Sequence, residues 1–246
     1  MEATSVVLIT GASSGVGLSL THYLAGRFHV LAAARSIEKL RVEFGGNPCV
    51  TTYCLDLAEL DAVGITLDSM LAEHGSIPYV INNAGINVRS TLQELGEADL
   101  QRSLRVNAVA PALIMQRLLP SMKAHHFGRV INMTSGAPLN CFPEYGAYSA
   151  SKGALNALTV TAARECAAYN IKINLMSPGP VRSNMAPDGP LDPSVCHPTV
   201  DYLLSLDEDG PTGRFFWLGY EIPLFPNLEG IQWLEGRADE RYRRVL

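Results

Sequence analysis

Val6-Val7-Leu8-Ile9-Thr10-Gly11-Ala12-Ser13-Ser14-Gly15-Val16-Gly17 decides the fold of this chain. The first four residues are an apolar run rich in β-branched side chains, the pattern of a buried strand. Three glycines follow, and then Leu20, Tyr23 and Leu24 recur at helical spacing. Strand, glycine turn and helix in that order make the first half of a βαβ unit. The glycines let the backbone approach a pyrophosphate, and the helix N-terminus offers amide donors and a positive dipole end. An ordinary tight βα turn uses glycine too, so the segment gains its weight from what surrounds it.

Outward from this turn, strand and helix patterns alternate. His29 to Ala34, Val50 to Leu55, Tyr79 to Asn82, Gly128 to Met133 and Ile171 to Met176 read as further strands. Helical stretches fall at about 38–44 and 60–74 and over Glu97 to Lys123 and Tyr148 to Tyr169, with Pro111 interrupting the third. Such alternation predicts an α/β fold: a single-domain, Rossmann-like, doubly wound parallel sheet with helices on both faces. No linker or internal repeat divides residues 1–246, so one domain is expected. Ligands bind such sheets at the strand carboxyl ends. Gly11, Arg35, Asp56, Asn83, Ser135 and Pro178 all fall at or just past such ends.

Tyr148 and Lys152 lie four residues apart, and Ser135 precedes the tyrosine by thirteen. On a helix, positions i and i+4 share a face. An ammonium there stabilises phenolate and lowers the tyrosine pKa from its usual ~10. A tyrosine so tuned exchanges a proton with an alcohol or carbonyl oxygen, and a serine hydroxyl holds the same oxygen. By itself Tyr-x-x-x-Lys is also a common surface pair; the nucleotide cradle gives it meaning.

Composition narrows the function further. The chain has 246 residues, 47% hydrophobic content and a net charge of −5, with no basic stripe, so nucleic acid is not an expected partner. No apolar run approaches the ~18 residues of a membrane helix. The first strand begins within five residues, which leaves no room for a signal peptide and predicts a cytoplasmic protein. Cys49, Cys54, Cys141, Cys166 and Cys196 are scattered and lack C-x-x-C spacing, as expected of buried free thiols in a reducing compartment. No His, Cys and carboxylate set has metal spacing.

Taken together, these segments resemble the classical short-chain dehydrogenase/reductase family over about residues 4–185. Thr10 to Gly17, Asn82-Asn83-Ala84-Gly85, Asn107, Ser135, Tyr148 with Lys152, and Pro178-Gly179 stand in the family's order. The resemblance implies a catalytic tetrad of Asn107, Ser135, Tyr148 and Lys152. Tyr148 would be the acid or base, Ser135 would orient the substrate oxygen, and Asn107 would hold a water linking Lys152 to solvent. Lys152 would also bind the nicotinamide ribose. It implies cofactor contacts from Gly11, Ser13, Ser14, Gly15, Val16, Gly17, Asn83, Ala84, Gly85, Pro178, Gly179, Val181 and Ser183. Asp56-Leu57 would contact adenine.

The second strand ends Ala33-Ala34-Arg35, with Ala34 where NAD-preferring Rossmann folds carry an acid for the ribose 2′-hydroxyl. Arg35 suits a 2′-phosphate, so NADP(H) is the expected cofactor. The other reading is an arginine in solvent beside an NAD site. Pro138, Cys141, Phe142, Tyr145 and Met185, with Ser135, are expected to wall a pocket for a moderately hydrophobic carbonyl or alcohol. Residues from about 183 to 246 match the family least. There a proline-rich stretch replaces a regular lid, and a tail from Leu224 carries Phe225, Trp233 and Leu234. That tail either packs peripherally or closes the pocket or a subunit contact. The family implies a homodimer or homotetramer; the alanine face from Ala154 to Ala163 suits either a helix contact or packing on the sheet. Against an NADP(H)-dependent carbonyl reductase stand two alternatives, a redox-neutral isomerase, epimerase or dehydratase and a non-enzymatic NADP(H) sensor.

Overall fold

The computed structural model describes residues 5–226, 228, 230–232 and 237–242. The chain runs β1 (Val6–Thr10), α1 (Gly15–Leu24), β2 (His29–Ala34), α2 (Ile37–Phe44), β3 (Val50–Cys54), α3 (Leu60–His74) and β4 (Tyr79–Asn82). It continues through α4 (Glu97–Leu104), a π-helical turn (Arg105–Val109), α5 (Ala110–Ala124), β5 (Gly128–Met133), α6 (Ala137–Asn140), α7 (Gly146–Glu165) and β6 (Ile171–Ser177). A 3₁₀ turn (Pro193–Cys196), α8 (His197–Leu204), β7 (Phe215–Trp217), β8 (Tyr220–Ile222) and the short strands β9 (Ile231–Gln232) and β10 (Arg237–Ala238) complete it.

The main sheet has the order β3-β2-β1-β4-β5-β6-β7-β8. Every pairing is parallel except β7 with β8. The order reverses direction beside β1, which places a ligand crevice between the carboxyl ends of β1 and β4. Alternation along each strand sorts side chains to two faces. Val7 and Ile9, with Val30, Ala32 and Ala34, meet α1, α2 and α8 in one buried cluster. Leu8, with Leu31 and Ala33, meets α3, α5 and α7 in the other. This is the doubly wound, helix-on-both-faces architecture that the strand–helix alternation predicts.

Four features depart from the sequence reading. Tyr23 is exposed and hydrogen-bonds Asp201 instead of joining the core. The break in the long helix is the π turn around Asn107, and Pro111 sits in the first turn of α5, where its missing N–H costs little. The helix bearing Tyr148 starts at Gly146 and stops at Glu165, short of Tyr169. The proline-rich stretch from Ala186 to Pro198 holds only a 3₁₀ turn, but it leads into a helix the sequence reading did not name, α8, with Pro193 and Pro198 at first-turn positions of the turn and of α8.

Of the alanine stripe on α7, Ala163 joins the sheet-facing cluster beside α3 and α5. Ala154 packs with Ile222 and Leu224 around Leu155, Leu175 and Phe215. The start of the tail is therefore laid on the chain's own α7, whereas Phe225 is exposed. Trp233 and Leu234 lie outside the described residues. No helix among the described residues is long and apolar enough to cross a membrane.

Candidate active site

A cleft of about 400 Å³ follows the carboxyl ends of the parallel strands. Near β2 and β3 it is lined by Arg35, Lys39, Asp56 and Leu57. At its middle stand the turn from Gly11 to Val16 and the segment Asn83-Ala84-Gly85. Beyond β5 and β6 it is lined by Ser135, Tyr148, Lys152, Pro178, Gly179, Val181, Ser183 and Met185.

The glycine turn is shaped by contact as well as by dihedral angle. Gly11 has φ +69°, and a Cβ there would lie 2.9 Å from the Ala84 Cα. A Cβ on Gly17 would lie 2.3 Å from the Gly11 carbonyl oxygen. Gly17 thus lies behind the cleft and lets α1 close onto the turn. Thr10 joins the two halves of the crevice: its hydroxyl accepts from the backbone N–H groups of Asn83 and Ala84, at 3.1 Å each. The Asn83 amide donates to the Thr10 carbonyl at 3.0 Å, so that side chain braces the turn. No side chain caps the start of α1, which leaves its first N–H groups for an anion in the cleft.

Tyr148 lies in the first turn of α7 and Lys152 one turn on. Their geometry differs from the simple ion–phenol pair that the spacing suggests. The Lys152 Nζ is buried, donates to the Met133 carbonyl at 2.7 Å and stands 5.9 Å from the centre of the Tyr148 ring. Burial drives the Lys152 pKa down to about 8. Burial also raises the Tyr148 phenol above its ordinary value, against a lowering contribution from the Ser135 hydroxyl. The lowered tyrosine pKa expected from the lysine is therefore not found: burial disfavours the lysine charge itself, and the Lys152 ammonium donates to a carbonyl.

The π turn places Asn107 behind Lys152. Its amide accepts from the Ile86 N–H and donates to the Ile86 carbonyl, both at 2.8 Å, and donates to the Ser151 hydroxyl at 2.9 Å. A Cβ on Gly85 would meet the Asn107 oxygen at 3.1 Å and the Lys152 nitrogen at 3.4 Å, so glycine leaves both groups their room. Pro111 has no N–H to offer the Asn107 carbonyl. Farther along α7, Thr134 bonds Asn156 at 2.5 Å, and Asn132 donates to Thr159 at 2.8 Å and accepts from Asn82 at 2.8 Å. This buried polar ladder fixes α7 over β4 and β5.

Only two of the six residues expected in the substrate wall line the cleft. Ser135 and Met185 line the cleft, but Pro138, Cys141, Phe142 and Tyr145 do not. Cys141 and Phe142 are exposed because the short α6 turns the loop outward, with Cys141 in the left-handed region. Cys54 is exposed as well, so only Cys166 and Cys196 are the fully buried thiols the sequence reading expects. Lys39, Arg102 and Asn184 are among the polar cleft residues with no counterpart in that reading. Lys39 follows Arg35 by four residues, a spacing that the sequence displays; Arg102 reaches the cleft only through the fold. The side chains of Arg35, Lys39 and Arg102 make no hydrogen bond or ion pair with any described residue.

Comparison with known proteins agrees with this architecture. The family model for short chain dehydrogenases matches residues 5–191. A dehydrogenase/reductase SDR family protein 7-like protein of Anopheles gambiae is 38% identical over 192 residues, which is 74% of this chain and 60% of that protein. The chain thus spans about three fifths of that relative's length. A metagenomic short-chain oxidoreductase solved with NADP superposes with a TM-score of 0.76 at 29% identity, over 87% of this chain and 96% of the other. A 4-hydroxyisoleucine dehydrogenase complexed with NADH superposes at 0.80 with 25% identity, over 87% and 97%.

Proposed function

This chain belongs to the short-chain dehydrogenase family of oxidoreductases, and from that premise we propose that it uses NADP(H) to interconvert a moderately hydrophobic carbonyl compound and its alcohol. The observation that carries the proposal is one cleft lined by Arg35 and Lys39, cations without an ion pair among the described residues, and by Ser135, Tyr148 and Lys152. A nicotinamide cofactor supplies the hydride when bound. The glycine turn has the close backbone approach a pyrophosphate needs, and the cation group matches a 2′-phosphate better than a ribose hydroxyl does.

The protein groups have separate tasks in this reading. Ser135 donates to the substrate oxygen and steadies the charge developing on it. Tyr148, its phenol kept protonated by burial, gives its proton to that oxygen in the reductive direction. Lys152 would hold the nicotinamide ribose hydroxyls and supply positive charge beside the tyrosine. Asn107 fixes Ile86 and Ser151, and so the floor of the site.

A panel of aldehydes, ketones and alcohols followed at the NADPH absorbance tests the proposal. Tyr148→Phe should abolish turnover with NADPH affinity nearly unchanged. Near-normal turnover in that variant would show that another group carries the proton. Substrate conversion without net cofactor consumption would favour a redox-neutral reaction.

A further inference from the structure

The loop between Ser135 and Tyr148 is held from outside by a strap. Two residues in it, Cys141 and Glu144, have positive φ values of 50° and 65°, a region that side chains other than glycine rarely enter. What keeps Glu144 there comes from the segment after β4. The Ser90 N–H donates to the Glu144 carbonyl at 3.0 Å, and the chains bridge at Ser90 and Tyr145. The Arg89 guanidinium donates to the Glu144 carboxylate at 2.8 Å and lies 4.9 Å from the centre of the Tyr145 ring.

Tyr145 is the residue from which α7 starts. No side chain caps that helix, and its first turn is closed by the Ser149 N–H donating to the Tyr145 carbonyl at 2.7 Å. The Tyr145 ring meets the Tyr148 ring edge-on, with centroids 6.2 Å apart. Arg89 and Glu144 therefore hold the residue that both begins the helix and buttresses Tyr148. Lys152 is fixed separately, by the Met133 carbonyl.

We infer that the Arg89–Glu144 pair, with Ser90 and Tyr145, is a positioning device for Tyr148: it sets the tyrosine for proton transfer and leaves cofactor binding to other groups. The inference rests on the oxidoreductase reading above. Tyr145, which the sequence suggests as pocket wall, acts here through Tyr148. Misplacement of a reacting group by a distant change lowers turnover more than binding.

The test compares the unsubstituted protein with Arg89→Ala, Glu144→Gly and the charge-swapped Arg89→Glu/Glu144→Arg. Benzaldehyde and acetophenone serve as probes with NADPH, and amide hydrogen exchange is followed over residues 145–149. Glycine adopts a positive φ freely, so Glu144→Gly removes the ion pair while relieving the backbone. The expected result is a fall in kcat of about tenfold in both single variants, with unchanged NADPH affinity and faster exchange at 145–149. The swapped pair should regain much of the loss. Unchanged kcat and exchange in the single variants would overturn the inference, as would an equal loss of NADPH affinity and turnover. If the unsubstituted protein reduces neither these probes nor any other carbonyl of the panel, the carbonyl reading is what fails. The exchange of residues 145–149 then decides the strap alone: unchanged protection rejects it, and selective loss of protection upholds it.

Discussion

At the scale of single residues, Lys152 carries an energetic cost that its hydrogen bond reduces without removing. Its pKa of about 8 lies below the ordinary 10.5 because burial disfavours the ammonium. Below pH 8 the amine is protonated in folded and unfolded chains alike, and the folded chain bears the full penalty. Between about 8 and 10.5 the folded chain has released a proton that the unfolded chain still binds, so stability rises with pH. The difference between those values corresponds to roughly 3 kcal/mol as an upper bound. Lys152→Met should accordingly be inactive yet more stable than the unsubstituted protein at pH 7, and the gain should shrink as pH rises toward 10. Urea titrations at pH 7, 8.5 and 10 check this. A stability difference that stays constant with pH would show that the amine is not desolvated in the fold. The residues of the site were legible where chemistry is written locally, in Tyr148 with Lys152 and in the glycines. They were not legible where a partner is remote in sequence, as with Thr10 and Asn83 or Arg89 and Glu144. Such pairs are created by topology and leave no spacing to read.

Among the elements, the parallel strands were readable because burial on both faces selects continuous apolar runs. The helix α8 was not, since proline signals a break in a helix interior but a start in a first turn. The π turn was misread for a related reason. Pro111 marks a real discontinuity, yet the irregularity lies before it, centred on a residue whose side chain bonds a neighbouring loop. Wide turns of this kind recur at functional sites because they free backbone groups and re-aim side chains. Asn107→Ala would leave the Ile86 N–H and carbonyl without partners in a half-buried setting, at a cost of up to about 1–3 kcal/mol for each orphaned group. A fall in the midpoint of urea unfolding should therefore accompany any loss of activity. If Asn107→Ala kept full stability, water would be replacing both bonds, and the turn would be tolerant where it is here taken to be specific.

For the whole molecule, the cleft joins strand ends from both halves of the sheet, from Arg35 after β2 to Pro178 after β6. A ligand that spans it should stabilise the fold as a unit, by mass action on the native state alone. At a hundred times its dissociation constant this amounts to about 2.7 kcal/mol, or roughly 5–10 °C in the melting temperature of a domain of this size. The sequence points to NADP(H) by absence as much as presence: Ala34 stands where an acid would hold a ribose hydroxyl. The fold adds Lys39, which lines the same cleft one helical turn after Arg35. NADPH should consequently raise the melting temperature more than NADH at equal concentration. Arg35→Ala should weaken NADPH binding by about tenfold or more, the size expected for a lost charge-assisted bond of about 1.5–3 kcal/mol, and should reduce the NADPH shift to nearly that of NADH. Higher salt should narrow the gap, since the contact lies at the exposed edge of the cleft. Equal shifts for the two cofactors in the unsubstituted protein would remove the basis for NADP(H) preference and leave Arg35 as a solvent-facing cation beside a site indifferent to the 2′-phosphate.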